Sequence, residues 1–452
     1  MTVPGDISRL AGREECHEVL CRIGRDFDDL ISKRGWPPAP RANTTTRPIG
    51  PLIHDQKESS VKLFEALAST PERAEIRDAV RALCDRFDDA YWSEKDRSHS
   101  FPYEFAKAIA DAGWLGIAMP REFGGAGLGV TEAAIMMQEV GRSAGAFAAC
   151  STIHINIFGL HSIVKHGTDA QRKAWLPAII DGSSRACFGV TEPDAGLDTS
   201  KIKTRAVRRG DRYIVNGQKI WTSTAQQADK VVLLARTTPI GQCAKPTEGL
   251  TLFYADLDRS RAEIREIPKM GRHAVNSNQV FYDNFDIPVE CRIGKEGKGF
   301  RYILDSLNPE RILNAAEVVG MGRRALEKAV AYAGERVVFG RKIGQNQSIQ
   351  HPLAECWSEL YAADLMTLHA AELYDSGKPC GAQANAAKYL AADAGFHACD
   401  RAIRTYGGMG YAAEYHVERY FREMVATQLA PVSREMILCF IAERELGLPK
   451  SY

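Results

Sequence analysis

Apolar side chains recur every three or four residues along two long parts of the chain, with polar positions between them. The first part runs from about Thr70 to Arg185, and the second runs from Gly299 to the C-terminus. This spacing is typical of amphipathic helices that pack on a shared core. Pro71 stands where the first turn of a helix tolerates proline. In the second part the apolar stripes predict helices over residues 300–335, 350–376, 381–407 and 431–446.

The pattern changes between Cys187 and Pro288, where short runs rich in Val, Ile, Tyr, Phe and Thr replace the helical spacing. Asn216-Gly217 lies between two such runs and is a typical hairpin-turn signal. No long amphipathic helix separates the runs, so a parallel βαβ sheet is not expected and an antiparallel arrangement is favoured. The clearest runs are residues 213–215, 231–234 and 250–254.

These patterns predict a mainly α fold with a central antiparallel β domain. Residues 1–35 have helical spacing, and residues 36–53 hold five prolines and no acidic residue, which indicates a linker. The predicted organisation has four parts: an N-terminal extension (1–69), an N-terminal helical domain (70–186), a middle β domain (187–297) and a C-terminal helical bundle (298–452).

Composition narrows the class of protein. The chain has 452 residues, 45% of them hydrophobic, and 58 basic residues against 57 acidic ones. This balance argues against a nucleic-acid binder, which normally carries a basic excess. No apolar run approaches the roughly 18 residues of a membrane span. The 11 cysteines form no C-x-x-C pair, and the N-terminus lacks secretory or transit-peptide features, so we expect reduced thiols and a cytoplasmic location, with the mitochondrial matrix left open.

The common nucleotide and metal motifs do not account for the chain. Gly125-Ala126-Gly127-Leu128-Gly129 lacks the preceding strand and the third glycine of a dinucleotide fingerprint, so a turn between helices is the better interpretation. No P-loop or H-E-x-x-H sequence occurs, and the histidines are too dispersed to predict a metal site.

Four separated stretches carry a more specific signal. They are FGVTEPDAGLD at 188–198, NGQKIWTS at 216–223, RVVFG at 336–340 with QNQ at 345–347, and YGGMGY at 406–411 with Glu414-Tyr415. In this order they resemble the acyl-CoA dehydrogenase flavoproteins, and the resemblance covers residues 70–452. It implies helical, β and helical-bundle domains, FAD as cofactor, a homo-oligomer that is usually a tetramer, and oxidation of acyl-CoA thioesters to trans-2-enoyl-CoA.

The resemblance also assigns the flavin side of the site. It places the 188–197 stretch along the flavin and the pyrophosphate, with a hydrogen bond from Thr191 to the ring. Trp221 offers a flat face for packing on the flavin, and Ser223 places a hydroxyl near its reactive nitrogen. An ordinary β-hairpin with a core tryptophan is the alternative. The implied flavin contacts from these two stretches are Phe188, Val190, Thr191, Gly196, Leu197, Trp221, Thr222 and Ser223.

A second group is implied to complete the FAD site of a neighbouring subunit. Arg336 resembles the family arginine that meets the pyrophosphate, a role that suits a permanently charged, forked side chain. Gly407 and Gly408 would let the backbone approach the cofactor closely. A solvated helix-end arginine and a plain helix C-cap are the alternatives. The resemblance implies Arg336, Phe339 and Gln347 for this cross-subunit site. It implies further cofactor contacts from Asn346, Arg404, Tyr406, Gly407 and Gly408, with Val432 and Ser433 from the stretch before the last helix.

The catalytic base needs a different source from the one common in the family. Oxidation at Cα–Cβ requires a base for the α-proton and a polarised thioester carbonyl. Many members carry a glutamate after the glycine turn, but here Ala430 or Pro431 matches that position. Glu310 precedes an arginine, as does the base of the isovaleryl-CoA and long-chain acyl-CoA branches, and is the predicted base. Glu317 is the runner-up, with a solvent-facing or salt-bridged role favoured for it, and Glu435 is expected to be structural.

Several points stay open at this stage. Asn308 and Arg311 match positions that contact CoA or order the site, although Arg311 can equally be structural. Leu197 stands where the family commonly has a serine that touches cofactor and substrate. If Pro431 replaces the carbonyl-polarising amide, Val432 is a candidate donor; if Ala430 does, the donor is retained. An electron-transferring flavoprotein is the expected acceptor, with an oxidase or a monooxygenase as alternatives, and acyl length and branching are not predicted.

Overall fold

The computed structural model describes residues 70–451. The helices predicted within residues 1–35 and the linker at 36–53 therefore lie outside the described residues. Helices occupy the chain up to residue 180, as the apolar spacing predicts: α1 (Pro71–Cys84), α2 (Asp89–Ser98), α3 (Tyr103–Asp111), α4 (Val130–Arg142), α5 (Ala146–His154), α6 (His161–His166) and α7 (Asp169–Ile180).

The ends of these helices follow from local sequence. Thr70 caps α1 because its Oγ1 accepts a hydrogen bond from the Arg73 amide, and Pro71 occupies the first turn as predicted. Thr168 and Gln171 form a reciprocal capping box at the start of α7. The glycine-rich stretch at 125–129 connects helices and follows no strand. Ile155–Gly159 forms a π-helical turn directly after α5.

A mixed sheet follows, with strands in the order β6-β7-β3-β2-β4-β5-β8 and β1 beside β4. Most pairs are antiparallel, as expected, but β1 runs parallel to β4 with Ala186 opposite Lys230. The intervening β2–β3 hairpin makes the connection long enough for this parallel pair. The strands are β1 (Ala186–Gly189), β2 (Arg205–Arg209), β3 (Arg212–Ser223), β4 (Lys230–Arg236), β5 (Leu250–Asp256), β6 (Ala262–Glu266), β7 (Ser277–Pro288) and β8 (Arg292–Ile293).

The hairpin predicted at Asn216-Gly217 is wrong. Both residues lie inside β3, at an irregularity in its pairing with β7, and the turn between β2 and β3 is formed by Gly210 and Asp211. Gly217 has φ +145°, and a Cβ there would come within 2.6 Å of Thr204 Oγ1. The glycine is therefore needed for an irregular strand position and close packing, not for a turn.

The C-terminal part begins with one long helix, α8 (Gly299–Glu335). A short hairpin follows, β9 (Val337–Val338) and β10 (Arg341–Lys342), and then α9 (Gln347–Asp375), α10 (Gly381–Tyr406), α11 (Val417–Leu429) and α12 (Arg434–Arg444). The four helices predicted in this part are confirmed. Helix α11 was not predicted, although its apolar residues at 417, 420, 421 and 424 have helical spacing.

The packing of these elements places the site. Residues of α4, α5, α8, α9, α10 and α11 share one large hydrophobic core. A second core joins one face of the sheet to α7 and to Ile303 near the start of α8. Helix α8 thus contacts both cores. Its first half, α5 and the end of β3 surround the space where the helical and β regions meet.

Two helical stretches of the described chain are long and apolar enough to cross a membrane, Ala146–His166 and Val417–Arg444. In the first, 67% of the apolar window is buried inside the protein. The second is only 17% buried, but its helical structure is interrupted between Leu429 and Arg434. Length and composition do not decide between a span and a soluble helix, so the absence of a membrane span stays a prediction.

Candidate active site

Two of the stretches assigned to the flavin lie side by side at the end of β3. The Ile220 amide donates a hydrogen bond to the Thr191 carbonyl at 2.9 Å. Lys219 Nζ donates to the Val190 carbonyl at 2.9 Å and to the Glu192 carboxylate at 2.8 Å. Burial lowers the pKa of Lys219 to about 8, against the opposing effect of Glu192. This buried ion pair ties the 190–192 segment to the strand that carries Trp221 and Ser223.

Trp221 is not a core residue. Its side chain is 55% exposed, and Leu197 on the adjoining segment is 60% exposed. The backbone of Trp221 has φ +60°, an uncommon conformation for a bulky residue that tends to occur at functional sites. The next residue, Thr222, is fully buried, and its Oγ1 has no hydrogen-bond partner among the described residues. The interpretation as an ordinary hairpin with a core tryptophan is therefore wrong.

Arg272 connects this strand end to α5. Its guanidinium donates to Ser223 Oγ at 3.2 Å, to Ser277 Oγ at 2.9 Å and to Ser151 Oγ at 3.2 Å. Within residues 70–451 it forms no ion pair closer than 4 Å, and burial lowers its pKa. A cation whose hydrogen bonds all go to neutral hydroxyl groups thus lies between the predicted flavin edge and the helix that ends at His154, with the Phe147 ring 5.5 Å from its guanidinium carbon.

Glu310 lies on α8 and is partly accessible, but its Oε2 is buried without a hydrogen-bond partner in the described part of the chain. Burial raises the pKa of Glu310 to about 7, although the nearby His154 and Arg311 favour the charged form. Among the described carboxyl groups, Glu423 has a similarly raised pKa of about 7. Glu423, however, is only 1% exposed and accepts a hydrogen bond from the Ala148 amide, so it is closed to a substrate.

Glu317, the runner-up base, is not solvent-facing. It is 1% exposed, and its Oε1 forms a short hydrogen bond with His154 Nδ1. Asn314 Nδ2 donates to the other carboxylate oxygen at 3.4 Å. The pKa of His154 is raised: burial opposes protonation, but the charge of Glu317 and its hydrogen bond outweigh it. Glu317 therefore pairs with His154 and favours its protonated form, in agreement with the salt-bridged role favoured for Glu317.

Asn308 and Arg311 contact each other near Glu310. Arg311 Nη1 donates to Asn308 Oδ1 at 3.2 Å, while its Nε is buried without a partner in the described range. Burial lowers the pKa of Arg311, and Glu310 opposes that change. The pair orders the first half of α8 beside the predicted base.

The hydrogen bonds of residues 430–433, before α12, show which of the candidate backbone amides can donate to a ligand. The Ala430 amide donates to the Ala426 carbonyl in the last turn of α11, and Pro431 has no N–H. The Val432 amide donates to no acceptor among residues 70–451, and the Val432 carbonyl accepts from Lys388 Nζ at 2.8 Å. Ser433 caps α12 by accepting from the Met436 amide at 3.4 Å. Of the two candidate donors, only Val432 is available.

The second predicted group gathers at the other end of α8. Arg336 follows the last residue of the helix, and Phe339 forms the fully exposed tip of the β9–β10 hairpin. Asn346 Nδ2 donates to the Ile343 carbonyl, and Gln347 begins α9. Tyr406 stacks on Tyr332 of α8 with ring centroids 4.0 Å apart. Exposed Arg404 pairs with Asp400, and Gly407 and Gly408 follow Tyr406.

The two predicted groups are far apart within one chain. Glu310 and Arg336 are 26 residues apart along one continuous helix, which at the usual rise per residue is about 39 Å. The structure therefore brings residues 190–192 against residues 219–220, and Arg272 links Ser223 to α5, whose His154 lies near Glu310. Residues 336–347 and Tyr406 gather separately, around the end of α8. A small molecule cannot touch both groups in a single chain.

Sequence reasoning assigned no role to Arg272, His154 or Asn314, although residues 271–277 resemble the family's loop near the substrate loosely. Arg272 and His154 come from a loop and a helix end that are distant in sequence from Glu310, so no local motif connects them. Asn314 had a usable signal, because it lies four residues after Glu310 and three before Glu317 and so shares their helix face.

Comparison with known proteins agrees with this architecture. The chain matches the acyl-CoA dehydrogenase N-terminal domain over residues 70–183, the middle domain over 187–285 and the C-terminal domain over 297–446. It is 38% identical to acyl-CoA dehydrogenase fadE12 of Mycobacterium bovis over 383 residues, which covers 84% of this chain and 97% of the relative.

Solved structures give the same result. A glutaryl-coenzyme A dehydrogenase in complex with glutaryl-CoA superposes with a TM-score of 0.81 at 30% identity, over 85% of this chain and 98% of the other. Butyryl-CoA dehydrogenase from Megasphaera elsdenii superposes with a TM-score of 0.80 at 27% identity, over 84% and 99%. On its sequence, its three-part fold and these likenesses, the chain is an oxidoreductase of the acyl-CoA dehydrogenase family.

Proposed function

We propose that this enzyme oxidises an acyl-CoA thioester to the trans-2-enoyl-CoA and that Glu310 removes the α-proton. The observation that carries the proposal is the state of Glu310: a partly accessible carboxyl group with one buried, unpartnered oxygen and a pKa raised to about 7. A carboxylate with a pKa near the working pH is suited to accept a proton. Placement on the bundle helix follows the isovaleryl-CoA and long-chain branches.

FAD is the proposed cofactor, as in the family. The described residues fit it: Trp221 offers an exposed aromatic face, and a Cβ built on Gly196, Gly407 or Gly408 would meet nothing within 4 Å, so the backbone is open to close approach. FAD supplies a hydride acceptor for the β-carbon. On the chain's side, the buried pair of Lys219 and Glu192 holds the Thr191 segment against the strand of Trp221 and Ser223.

A homo-oligomer completes the proposed site. Arg336 is about 39 Å from Glu310 along α8. We therefore assign its group to the FAD of a neighbouring copy: Arg336, Phe339, Asn346, Gln347, Arg404, Tyr406, Gly407 and Gly408. A forked guanidinium beside exposed glycine backbone suits a pyrophosphate. Tetramers are typical of the family.

Polarisation of the thioester carbonyl is assigned to the Val432 amide. The Ala430 amide is already engaged and Pro431 has none, whereas the Val432 amide has no acceptor among the described residues. A backbone donor aimed at a developing enolate oxygen stabilises the charge without reorganisation. Asn308 and Arg311 are assigned to the CoA side of the substrate and to ordering α8, and Leu197 borders cofactor and substrate.

Electrons are proposed to pass to an electron-transferring flavoprotein. An acyl-CoA oxidase would instead consume oxygen without another acceptor, and a monooxygenase needs no proton-abstracting glutamate, so Glu310 argues against it. We also propose the domain boundaries 1–69, 70–186, 187–297 and 298–452, a cytoplasmic location, and no nucleic-acid partner.

The direct test is Glu310→Gln, compared with Glu435→Gln as a matched control on α12. Glu435 is exposed and its own backbone amide and Ser433 lower its pKa, so it should be dispensable. Both variants are expected to retain flavin. Under anaerobic mixing with acyl-CoA, Glu310→Gln should bleach the flavin at least about a hundredfold more slowly than the wild type. If it bleaches at the wild-type rate, Glu310 is not the base.

A further inference from the structure

The helix face that carries Glu310 stays polar for two further turns. Asn314 follows it by four residues and Glu317 by seven, so all three lie on one face of α8. Asn314 is 5% exposed and Glu317 is 1% exposed. A pocket for a plain alkyl chain would bury apolar side chains here, because burying polar groups is costly unless they are hydrogen-bonded.

Among the described residues, one acceptor on this face of α8 and one imidazole nitrogen of α5 have no hydrogen-bond partner. Asn314 Oδ1 is buried and accepts no hydrogen bond within residues 70–451. Across from α8, His154 uses Nδ1 for its bond to Glu317, and its Nε2 takes part in no hydrogen bond with any described residue. Glu317 raises the pKa of His154 against the effect of burial, which favours the imidazolium form with a hydrogen on Nε2. Buried polar groups are nearly always satisfied in native structures, so Asn314 Oδ1 calls for a partner that the described residues do not supply.

We propose that the acyl group of the substrate carries a hydroxyl group, which donates to Asn314 Oδ1 and accepts from His154 Nε2. This inference rests on the proposed function, because it places the acyl chain along α8 beyond Glu310. A hydroxyl group both donates and accepts, which matches one free acceptor and one free donor. A carboxylate would meet the charges of Glu310 and Glu317, and an ammonium group would leave His154 unpaired.

The position on α8 sets where the hydroxyl lies. Asn314 is one turn beyond Glu310, about 6 Å along the helix axis. Since Glu310 acts at Cα, the hydroxyl belongs several carbons further along the acyl chain. The π-helical turn Ile155–Gly159 directly after His154 supports a functional role for this end of α5, because such turns frequently occur at functional sites.

The test compares ω-hydroxyacyl-CoAs, from hydroxybutyryl-CoA to hydroxyoctanoyl-CoA, each beside its unsubstituted parent. The readout is kcat/KM for anaerobic flavin reduction by the full-length holoenzyme. At the chain length that fits, the hydroxylated thioester should be preferred by at least about tenfold. Asn314→Leu, which keeps similar volume and removes the acceptor, should abolish or reverse that preference. Gln242→Leu, an exposed change between β4 and β5, should retain it.

The outcomes separate this inference from the proposed function. If no acyl-CoA of either series reduces the flavin, the proposed function itself fails. If both series reduce it but no hydroxylated member is preferred, or if Asn314→Leu retains the preference, the hydroxyl assignment is overturned. Flavin content and melting temperature of Asn314→Leu show that it is folded, so an unchanged preference in that variant counts against the proposal.

Discussion

At the scale of single residues, environment decides what each carboxyl group can do. Glu310, Glu423 and Glu435 are the same residue type, but only Glu310 combines a raised pKa with partial accessibility. Glu423 is enclosed and bonded to the Ala148 amide, and Glu435 faces solvent with a lowered pKa. A raised pKa alone would therefore have identified two candidates, and accessibility distinguishes them.

The Val432 amide gives a prediction at the same scale. Val432→Pro removes the N–H, whereas Val432→Ala keeps it and shortens only the side chain. If this amide polarises the thioester carbonyl, Val432→Pro should lower kcat by about a hundredfold or more, with a smaller change in KM. Steady-state kinetics at matched flavin content make the comparison. Equal kcat values for the two variants would remove Val432 from the mechanism.

Sequence alone proposed Glu310 as the base, with Asn308 and Arg311 near it, but not the contacts that Arg272 and His154 make. An arginine directly after the glutamate was enough to select it by resemblance. Arg272 lies on a loop and His154 at the end of α5. Their contacts with Ser151, Ser223 and Glu317 join residues that are far apart in the sequence. Contacts of that kind depend on the packing of distant segments, so no local pattern could have predicted them.

At the scale of elements, the buried pair of Lys219 and Glu192 fastens a loop to a strand. Lys219 is 1% exposed, and the Glu192 carboxylate also accepts from the amides of Lys203 and Thr204. Glu192→Gln leaves a buried ammonium group without its counter-charge, so we expect a loss of about 3 kcal/mol in the free energy of unfolding. We also expect this variant to retain flavin more weakly, because the Thr191 segment is no longer held against β3.

A double-mutant cycle measures the interaction free energy between Lys219 and Glu192. Lys219→Met removes the ammonium group, and adding it to Glu192→Gln should cost much less than the sum of the two single changes. Denaturant unfolding followed by far-UV circular dichroism supplies the three differences in free energy. Additive effects would show that the ion pair does not hold the loop.

Elements were predicted well where one periodicity dominates. The long helices α8, α9 and α10 each show apolar stripes, and the structure has them within a few residues of the predicted ends. Asn216-Gly217 misled because an irregular strand position needs glycine as much as a turn does. The parallel pairing of β1 with β4 depends on partners about 40 residues apart, which turn and strand propensities do not report.

At the scale of the whole molecule, the length of α8 is the reason why the proposed FAD site includes a second copy of the chain. The predicted base Glu310 lies in the first half of this helix, and Arg336 of the predicted pyrophosphate group directly follows its last residue, about 39 Å away. The exposed apolar tip formed by Val337, Val338 and Phe339 adjoins Arg336, as expected for a surface that is covered by another subunit.

Arg336→Glu tests this arrangement, with Arg301→Glu near the start of α8 as the control. Reversing the charge beside a pyrophosphate should weaken FAD retention by at least about tenfold. Arg301 is exposed near the other end of the helix, so its reversal should leave retention unchanged. Flavin content after dialysis and mass by light scattering report the two effects. Equal flavin loss in both variants would argue against a role for Arg336.

The pH dependence of flavin reduction tests the central claim most directly. Glu310 must be ionised to accept the α-proton, and its pKa is raised to about 7. With saturating acyl-CoA under anaerobic conditions, the wild-type rate should be constant above that pH and fall tenfold per pH unit below it. A rate that is independent of pH between about 5 and 9, with Glu310→Gln reduced equally fast, would contradict the assignment.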